Sequence, residues 1–292
     1  MISIIVTAFK EEKTIGKCIE SILSQDLKET YEIIVACPDE QTKNIALKYK
    51  EVKHFHDPGK GKSFALNLLL KQIKGDILIF TDGDVFLGEN AISEILQKFQ
   101  DPKVGFVGGR IIPQNEKRTM LGYWSHLLAD VGAHRTRLKR SNKGEFFECS
   151  GYLMAMRSGI IKEIPLDVAE DSIMPYYFFK QGYKVKYAEN ARVYVKNPTK
   201  FQDWLKQRKR TAKAHTKLSM YEPDFPKMKS FKNEIVQGFM PIWSYPSTPK
   251  ELFWTQMLCL ARLYIWFSLN YEEKIKKKYY NDGWERVQST KT

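Results

Sequence analysis

Apolar runs alternate with helix-like segments along the N-terminal part of the chain. Strands are predicted where short apolar runs occur, at Ile2–Thr7, Glu32–Ala36 and Ile77–Thr81. Helices are predicted where apolar residues recur at intervals of three and four, at Thr14–Gln25, Gln41–Tyr49 and Ser63–Lys71. This order is typical of parallel strands joined by covering helices, whose ligand site lies beyond the carboxyl ends of the strands. We therefore expect chemistry in the segments that follow Thr7, Ala36 and Thr81.

The pattern loosens from about Val104 onward. Further strands are predicted at Gly105–Ile112, Tyr152–Met156 and Lys184–Ala188, and further helices at Tyr123–Val131, Ile173–Gln181 and Lys200–Lys217. A basic run at 135–140 contains no acidic residue, which is typical of a solvated or mobile surface; contact with an anionic acceptor or lipid is the alternative. The predicted fold class is α/β, a mostly parallel sheet flanked by helices, with a helical C-terminal extension.

Residues 252–269 form a strongly apolar and aromatic stretch. Polar residues interrupt it at Thr255, Gln256, Arg262 and Ser268, so we expect it to fall short of the roughly 18 to 20 nearly uncharged residues of a membrane-spanning helix. Lysines follow at 274, 276, 277 and 278, and aromatic residues beside lysines suit an anionic bilayer surface. Packing within the protein, docking on a membrane surface and a dimer contact all remain open.

Composition excludes several classes of protein. The chain has 292 residues, of which 43% are hydrophobic and 28% charged, so we expect neither a disordered chain nor a multi-pass membrane protein. The net charge of +13 favours an anionic partner, which could be nucleic acid, a nucleotide phosphate or an acidic membrane face. The four cysteines form no CxxC pair, and residues 2–8 predict a strand rather than a signal peptide, so we expect a cytoplasmic protein.

Asp82 and Asp84 flank Gly83 directly after a predicted strand. Two carboxylates one residue apart at the end of a strand can face the same cleft, and Mg²⁺ and Mn²⁺ prefer such oxygen ligands together with substrate phosphates. The position favours a divalent-cation site. A polar turn closed by Gly83 is the structural alternative, since Asp-Gly pairs are common in turns.

A second acidic pair, Glu170 and Asp171, precedes a predicted helix. One interpretation is helix capping, because acidic side chains satisfy the free amide groups at a helix start and favour the positive end of its dipole. The other is general-base catalysis, in which a carboxylate aimed into a cleft takes a proton from an attacking hydroxyl.

Basic residues offer two candidate phosphate contacts. Lys62 ends the loop Gly59-Lys60-Gly61-Lys62 ahead of a predicted helix, whose N-terminus can help to hold phosphate. Arg210 belongs to the cluster 207–210, in which Gln207 and Arg210 share a helix face; a solvated helix surface is the alternative. The histidines form no constellation, and His215 is the candidate for an additional metal ligand beside Asp84.

The order of these motifs resembles glycosyltransferase family 2, the inverting, nucleotide-sugar-dependent enzymes with a GT-A fold. Residues 4–12 look like that family's first strand and nucleotide loop, and residues 21–35 contain segments similar to its next helix and second strand. Asp82-Gly83-Asp84 matches the DXD metal motif, and Ala169-Glu170-Asp171 resembles the TED motif. Residues 207–211 resemble QxxRW but carry Thr211 in place of the tryptophan. The resemblance covers roughly residues 1–215.

The resemblance implies a role for each matching residue. Asp171 would be the general base, and Asp84 and Asp82 would hold a divalent cation, Mn²⁺ or Mg²⁺. Donor-binding residues would be Thr7, Ala8, Phe9, Glu11, Asp39, Lys62, Asp82, Gly83 and Arg210, with Asn67 matching the asparagine that follows the family's lysine. The acceptor side would include Gly151, Glu170 and Gln207. Residues 1–110 would form the nucleotide-sugar-binding half of the GT-A domain, residues 111–217 its acceptor-binding half, and residues 218–292 a helical C-terminal region.

Residues and resemblance together predict an inverting, metal-dependent glycosyltransferase. It would move a sugar from a nucleotide-sugar donor, with a UDP-sugar favoured, to a lipid-linked or glycan acceptor. We expect it in the cytoplasm, and peripheral attachment to the inner face of the cell membrane and the oligomeric state remain open.

Two other classes remain as alternatives. A sugar-1-phosphate nucleotidylyltransferase would share a similar fold and metal, but its glycine-rich signature does not follow the first strand. A non-catalytic nucleic-acid-binding protein would explain the net charge. We expect no nucleic-acid partner, because phosphate contacts would not explain the placement of both acidic pairs.

Overall fold

The computed structural model describes residues 1–215, 217–226, 241–274 and 288–290. Within them a single mixed sheet has the strand order β3-β2-β1-β4-β7-β6-β8-β5. Its strands are β1 (Ile2–Thr7), β2 (Tyr31–Cys37), β3 (Val52–His56), β4 (Ile77–Asp82), β5 (Val85–Leu87), β6 (Val104–Pro113), β7 (Leu153–Arg157) and β8 (Lys184–Val195). The first four strands are parallel, and β7 joins β4 and β6 through antiparallel pairing.

The helices lie between and after these strands. They are α1 (Ile15–Leu23), α2 (Glu40–Ala46), α3 (Lys62–Leu70), α4 (Ala91–Lys98), α5 (Met120–Ala129), α6 (Arg135–Lys143), α7 (Glu170–Lys180), α8 (Phe201–Ala214), α9 (Leu218–Tyr221) and α10 (Pro249–Lys274). A π-helical turn, Asp130–His134, joins α5 to α6, and Gln288–Thr290 forms a 3₁₀ turn.

Helices cover both faces of the sheet. One face packs against α1, which buries a stripe of residues spaced three and four apart, namely Ile15, Cys18, Ile19 and Ile22. The other face packs against residues of α3 and α7, among them Leu66 and Phe178. All six residues of β1 are buried, as expected for a parallel strand that is covered on both faces. The predicted α/β class is confirmed.

The predicted elements differ from the observed ones mainly in the second half of the sheet. The bounds predicted for β1 are the observed ones. Of β3, only a strand-like segment flanked by His54 and His56 was expected, and the three-residue β5 was not predicted as a strand. The predicted β8 ended at Ala188, whereas the strand continues to Val195 because its second half pairs with β6 and with β5.

The basic run at 135–140 lies in α6, and the expectation of a solvated or mobile surface was wrong for Arg137. This side chain is buried, and its guanidinium donates hydrogen bonds to the carbonyl oxygens of Glu148 at 3.0 Å and Cys149 at 2.7 Å. A guanidinium can be buried when acceptors satisfy its donors. Arg137 therefore fixes the backbone just before Gly151.

The C-terminal helix α10 packs on α5 and α8 through a third apolar cluster, which includes Trp124, Trp204, Leu258 and Ile265. By length and composition α10 could cross a membrane, contrary to our expectation that it falls short; core helices of soluble proteins can meet the same criterion. The lysines at 276, 277 and 278 lie outside the described residues.

The domain boundaries stay a prediction, and the sheet itself contains strands from both predicted halves of the GT-A domain.

Candidate active site

The first acidic pair lies where β1 and β4 end side by side. Thr7 Oγ1 donates a hydrogen bond to Asp82 Oδ1 at 2.9 Å, and the Gly83 N–H donates to the Thr7 carbonyl oxygen at 2.9 Å. Gly83 packs so closely that a Cβ there would lie 2.8 Å from the Cβ of Ala8. A larger residue would push the two strand ends apart. The glycine thus lets the chain place Asp82 and Asp84 beside the loop that follows β1.

Lys62, the first residue of α3, joins the two acidic pairs. Its Nζ lies 2.7 Å from Asp82 Oδ1 and 3.1 Å from Glu170 Oε1, and its side chain is 14% exposed. Burial alone would lower the pKa of this ammonium, but the two carboxylates outweigh it and raise the pKa above its usual value. Lys62 is therefore a fixed positive charge at the centre of the site.

Gly151 and Asp171 meet beside the Lys62–Glu170 pair. The Gly151 N–H donates to Asp171 Oδ2 at 3.2 Å. A Cβ on Gly151 would lie 3.0 Å from Lys62 Nζ and 3.1 Å from Glu170 Oε1, so the ion pair occupies the space that a side chain would need. The N-cap of α7 is Ala169, and both acidic residues lie in the first turn, so neither Glu170 nor Asp171 is itself the cap.

Asp84 is half-buried, and its charge, like that of Asp82, acts on the side chains of Cys18 and Tyr152. Burial, followed by the charges of Asp84 and Asp82, raises the pKa of the Cys18 thiol and raises the pKa of Tyr152 to about 12. Two carboxylates at one strand end suit a divalent cation that takes its other ligands from phosphate and water. No group of three or more His, Cys, Asp and Glu side chains among the described residues could hold a metal by itself. The residues present therefore fit a cation that shares its coordination with a bound phosphate.

Two arginines of α8 have an electrostatic effect on Tyr152. Burial and the acidic pair raise the pKa of Tyr152, and the charges of Arg208 and Arg210 act in the opposite direction. The guanidinium of Arg208 also lies 5.9 Å from the ring centre of Trp204. Gln207 is half-buried in the same helix. Arg210 and the acidic pair thus both act electrostatically on Tyr152.

The predicted donor residues after β1 are tied to the start of α2. Asp39 is the N-cap of α2, and its carboxylate accepts hydrogen bonds from the Thr42 N–H at 2.9 Å and the Lys10 N–H at 2.8 Å. Burial would raise the pKa of Asp39, but these hydrogen bonds outweigh it and hold the pKa below its usual value. The Glu11 N–H donates to Thr42 Oγ1 at 2.9 Å, and the Lys10 ammonium lies 5.3 Å from the ring centre of Phe9. These contacts hold the loop in one shape.

His215 makes contacts that argue against the expected metal role. Its Nδ1 lies 2.6 Å from the Thr211 carbonyl oxygen, and its Nε2 lies 2.9 Å from Glu148 Oε2 and 2.9 Å from Ser172 Oγ. Both ring nitrogens are engaged within the protein, whereas a metal ligand must offer a nitrogen lone pair. The structure therefore corrects the expectation that His215 joins Asp84 at a metal.

Asn67 also has a partner that the resemblance does not imply. Its side-chain amide donates to the Ile164 carbonyl oxygen at 2.8 Å and accepts from the Ile164 N–H at 2.7 Å. These two bonds fix the loop before α7 on α3. Their partners lie 97 residues apart, so no local pattern could have predicted them.

Three residues of the site region were not among the predicted site residues, namely Glu148, Tyr152 and Ser172. Tyr152 and Ser172 directly follow the predicted residues Gly151 and Asp171, and that adjacency was the available signal. The Tyr152 carbonyl oxygen accepts a hydrogen bond from the hydroxyl of Thr81 at 2.8 Å, which ties it to β4. Glu148 carries no signal, because its partners come from distant parts of the chain.

A mixed, mostly parallel sheet with one acidic pair at the end of β4 and a second at the start of α7 defines a protein of the GT-A glycosyltransferase fold class. The chain belongs to the family described as glycosyltransferase-like family 2, whose family model matches residues 1–214. The resemblance drawn from the motifs is thereby confirmed.

Curated relatives carry glycosyltransferase names. An N-acetylglucosaminyltransferase of Bradyrhizobium diazoefficiens is 21% identical over 73% of this chain and 48% of its own length. A hyaluronan synthase of Streptococcus pyogenes serotype M1 is 25% identical over 55% of this chain and 41% of its own length. The chain thus spans about half the length of the curated relatives it matches.

Solved structures share the fold. The mannosyltransferase PcManGT from Pyrobaculum calidifontis, in complex with GDP-Man and Mn²⁺, superposes with a TM-score of 0.68 at 17% identity, over 95% of this chain and 88% of that one. Residues 1–349 of S. aureus TarS, in complex with UDP-GlcNAc, superpose with a TM-score of 0.53 at 16% identity, over 99% of this chain and 96% of that one. The predicted GT-A architecture is confirmed.

Proposed function

We propose that this protein is an inverting, metal-dependent glycosyltransferase that moves a sugar from a nucleotide-sugar donor to an acceptor hydroxyl. The observation that carries the proposal is the ion-pair network of Lys62, which holds Asp82 of the first acidic pair and Glu170 of the second within 3.1 Å of one ammonium. Because the two acidic pairs share one cation, donor and acceptor would react within one small space.

The donor would lie against the carboxyl ends of β1 and β4. Its nucleoside would contact the loop of Ala8, Phe9 and Glu11, together with Thr7 and Asp39, and its diphosphate would lie between Lys62, the Asp82–Gly83–Asp84 turn and Arg210. A divalent cation held by Asp82 and Asp84 would stabilise the negative charge that develops on the departing diphosphate. Lys62 and Arg210 would bind the same phosphate oxygens through charge-assisted hydrogen bonds.

The acceptor would approach from the side of Gly151. Asp171 would take the proton of the attacking hydroxyl, with Oδ2 held by the Gly151 N–H. Glu170 would orient Lys62 and contact the acceptor, and Gln207 would contribute a hydrogen bond from α8. Breaking the bond to the diphosphate while the hydroxyl attacks from the opposite face inverts the anomeric carbon.

The similar proteins and their complexes bear on the substrate class. Relatives named N-acetylglucosaminyltransferase and hyaluronan synthase, and the complex of TarS with UDP-GlcNAc, support a UDP-sugar as donor. The complex of PcManGT with GDP-Man and Mn²⁺ supports a divalent cation and keeps a GDP-sugar as the second donor to test. We propose a lipid-linked or glycan acceptor, in the assembly of a surface glycan or glycolipid.

The exposed side of α10 supports a place at the membrane. Phe253, Leu260, Tyr264 and Phe267 lie on one face of this helix and are 58%, 59%, 55% and 73% exposed. An apolar helix face on a protein of net charge +13 suits an anionic bilayer, so the protein would work as a peripheral protein on the cytoplasmic face of the membrane.

Leu260→Ser combined with Phe267→Ser should reduce co-sedimentation with phosphatidylglycerol vesicles. Met220→Ser, an exposed apolar residue outside α10, should not; equal binding by all three proteins would contradict the membrane role.

Sugar transfer by the full chain tests the proposed function. The assay measures release of nucleoside diphosphate from UDP-GlcNAc or GDP-mannose with Mn²⁺, in the presence of candidate lipid-linked and glycan acceptors. Asp171→Asn should lower acceptor-dependent release about 100- to 10,000-fold, leaving a residual rate that can be measured, and keep donor binding, because Asn keeps the shape of Asp171 but cannot take a proton. Unchanged release by Asp171→Asn would remove the base assignment.

A further inference from the structure

A buried polar cluster lies directly behind Asp171. It consists of Glu148, His215 and Ser172, of which Glu148 and His215 have side chains 3% and 6% exposed. Ser172 Oγ lies 2.9 Å from Glu148 Oε2, 2.9 Å from His215 Nε2 and 3.4 Å from Asp171 Oδ1. Glu148 and Ser172 were not among the predicted site residues, and His215 was expected at the metal, yet the cluster contacts the proposed base.

The hydrogen-bond partners limit how many protons the cluster holds. The Thr211 carbonyl oxygen can only accept, so the Nδ1 of His215, 2.6 Å away, carries a hydrogen. Between His215 Nε2 and Glu148 Oε2, 2.9 Å apart, one proton is needed, carried by either partner. The pair therefore has no net charge in either form, which is the condition under which two ionisable groups tolerate burial.

Residues 148–151 hold the first turn of α7 at three points. The Glu148 carboxylate accepts from the Ser172 hydroxyl, the Cys149 N–H donates to the Asp171 carbonyl oxygen at 3.1 Å, and the Gly151 N–H donates to Asp171 Oδ2 at 3.2 Å. The backbone of this segment is itself fixed by the guanidinium of Arg137. Ser172 Oγ, 3.4 Å from Asp171 Oδ1, thus links the Glu148 carboxylate to the carboxylate of Asp171.

His215 connects this arrangement to α8. It is the C-cap residue of that helix, and the preceding Ala214 carbonyl oxygen accepts a hydrogen bond from the Ala169 N–H at 2.9 Å, at the start of α7. The same helix carries Arg210, whose charge acts on Tyr152 together with those of Asp82 and Asp84. A shift of α8 would thus be transmitted through His215 and Glu148 to the residue next to Asp171.

We propose that Glu148 and His215 are positioning residues that act through Ser172 to hold the Asp171 carboxylate in its reactive orientation. The inference rests on the proposed role of Asp171 as general base. Both residues are buried and neither is among those proposed to bind the donor or the acceptor, so their loss should lower kcat and leave donor affinity unchanged. A misplacement of a catalytic group by about 1 Å can cost about 100-fold in rate, which sets the expected scale.

Two substitutions of His215 separate its two hydrogen bonds. His215→Gln can place an amide donor on Glu148 where Nε2 stood, and His215→Asn can place an amide donor only on the Thr211 carbonyl oxygen. His215→Asn should lower kcat about 10- to 100-fold, with the dissociation constant of the nucleotide sugar unchanged in calorimetry. His215→Gln should retain most of the activity. His126→Gln, at a part-buried histidine bonded to the Asn115 carbonyl oxygen, is the matched control and should behave as wild type.

A double-mutant cycle with Asp171→Asn distinguishes positioning from a general effect on folding. If His215 acts through Asp171, His215→Asn should cost almost nothing further in the Asp171→Asn background. Ser172→Ala removes a single hydroxyl and should leave the protein folded. It should also lower kcat, and it should cause almost no further loss of kcat in the Asp171→Asn background.

The outcomes are separable. An equal loss of kcat from His215→Asn in both backgrounds, or wild-type kcat in His215→Asn and Ser172→Ala, would overturn the positioning role while leaving the proposed function intact. Full transfer by Asp171→Asn alone would remove the base assignment itself, and with it the basis of the inference.

Discussion

The ammonium of Lys62 lies 2.7 Å from Oδ1 of Asp82, and the same ammonium contacts Glu170 at 3.1 Å. Lys62 opens α3, Asp82 ends β4 and Glu170 opens α7, so one side chain ties together three elements that are far apart in sequence. In the proposed reaction the same charge binds the diphosphate. Its interactions therefore bear on both stability and donor binding.

Removing Lys62 should destabilise the fold far more than removing a surface lysine. Lys62→Met leaves two carboxylates without their shared cation in a place where Lys62 is 14% exposed, so we expect the free energy of unfolding to fall by about 2 kcal/mol at pH 7. The matched control is Lys53→Met, because Lys53 pairs with Glu32 at 2.9 Å but is 69% exposed; it should cost less than about 0.5 kcal/mol. Urea denaturation measures the free energy of unfolding of both variants. Equal losses would contradict the claim that the ion pairs of Lys62 stabilise the fold more than a surface pair does.

A methyl group at Gly151 should weaken the site without unfolding the protein. In Gly151→Ala the new Cβ meets Lys62 Nζ at 3.0 Å and Glu170 Oε1 at 3.1 Å, so the ion pair must shift by a few tenths of an ångström. We expect sugar transfer to fall about 10-fold or more. Gly132→Ala, where the nearest atom to a Cβ is 3.9 Å away, is the control and should keep full activity. Wild-type activity in both variants would show that the contact at Gly151 does not matter.

Glu272 should make the docking of α10 on α8 sensitive to acid. Hydrogen bonding to Lys213 is the main reason why the pKa of Glu272 is lowered to about 2, with Lys209 adding to the effect. A depressed carboxyl pKa stabilises the fold above the unfolded-state value of about 4.3, and this contribution disappears as the pH falls towards 2. Glu272→Gln should therefore lower the free energy of unfolding by about 1 kcal/mol at pH 7, after allowing for solvent screening, and the difference from wild type should shrink on acidification between about pH 4.3 and 2. A difference independent of pH in denaturation experiments would refute the ion pair.

Asn67 should contribute to stability rather than to donor binding. Asn67→Ala removes both bonds to the backbone of Ile164, so we expect a loss of about 2 kcal/mol in the free energy of unfolding. Nucleotide-sugar affinity, measured by calorimetry below the melting temperature, should be unchanged. The opposite pattern, a weaker donor complex at unchanged stability, would restore the nucleotide role that the motif resemblance implies.

The first strands and helices could be predicted because their periodicity is local. β1 is buried along its whole length, and α1 buries residues spaced three and four apart, so hydrophobic pattern and structure agree. β5 has three residues and its pairing with β8 depends on a distant partner, so no local pattern marks it.

In the candidate site, too, features set by the local sequence could be predicted and contacts between distant segments could not. The two acidic pairs could be found because each is a short motif placed at the end or start of an element. His215 was assigned to a metal because only its residue type was visible; its actual partner, Glu148, lies 67 residues away. Contacts between distant segments are decided by how the helices pack, which the sequence pattern does not specify.

Calorimetric titration of UDP-GlcNAc and GDP-mannose into the full chain, with Mn²⁺, Mg²⁺ or EDTA, tests the central claim most directly. The proposed function predicts that one nucleotide sugar binds wild-type protein in the presence of a divalent cation, and that binding is lost with EDTA and in Asp84→Ala. Binding of neither nucleotide sugar, or binding that is the same with EDTA and in Asp84→Ala, would contradict a donor site built on Asp82 and Asp84.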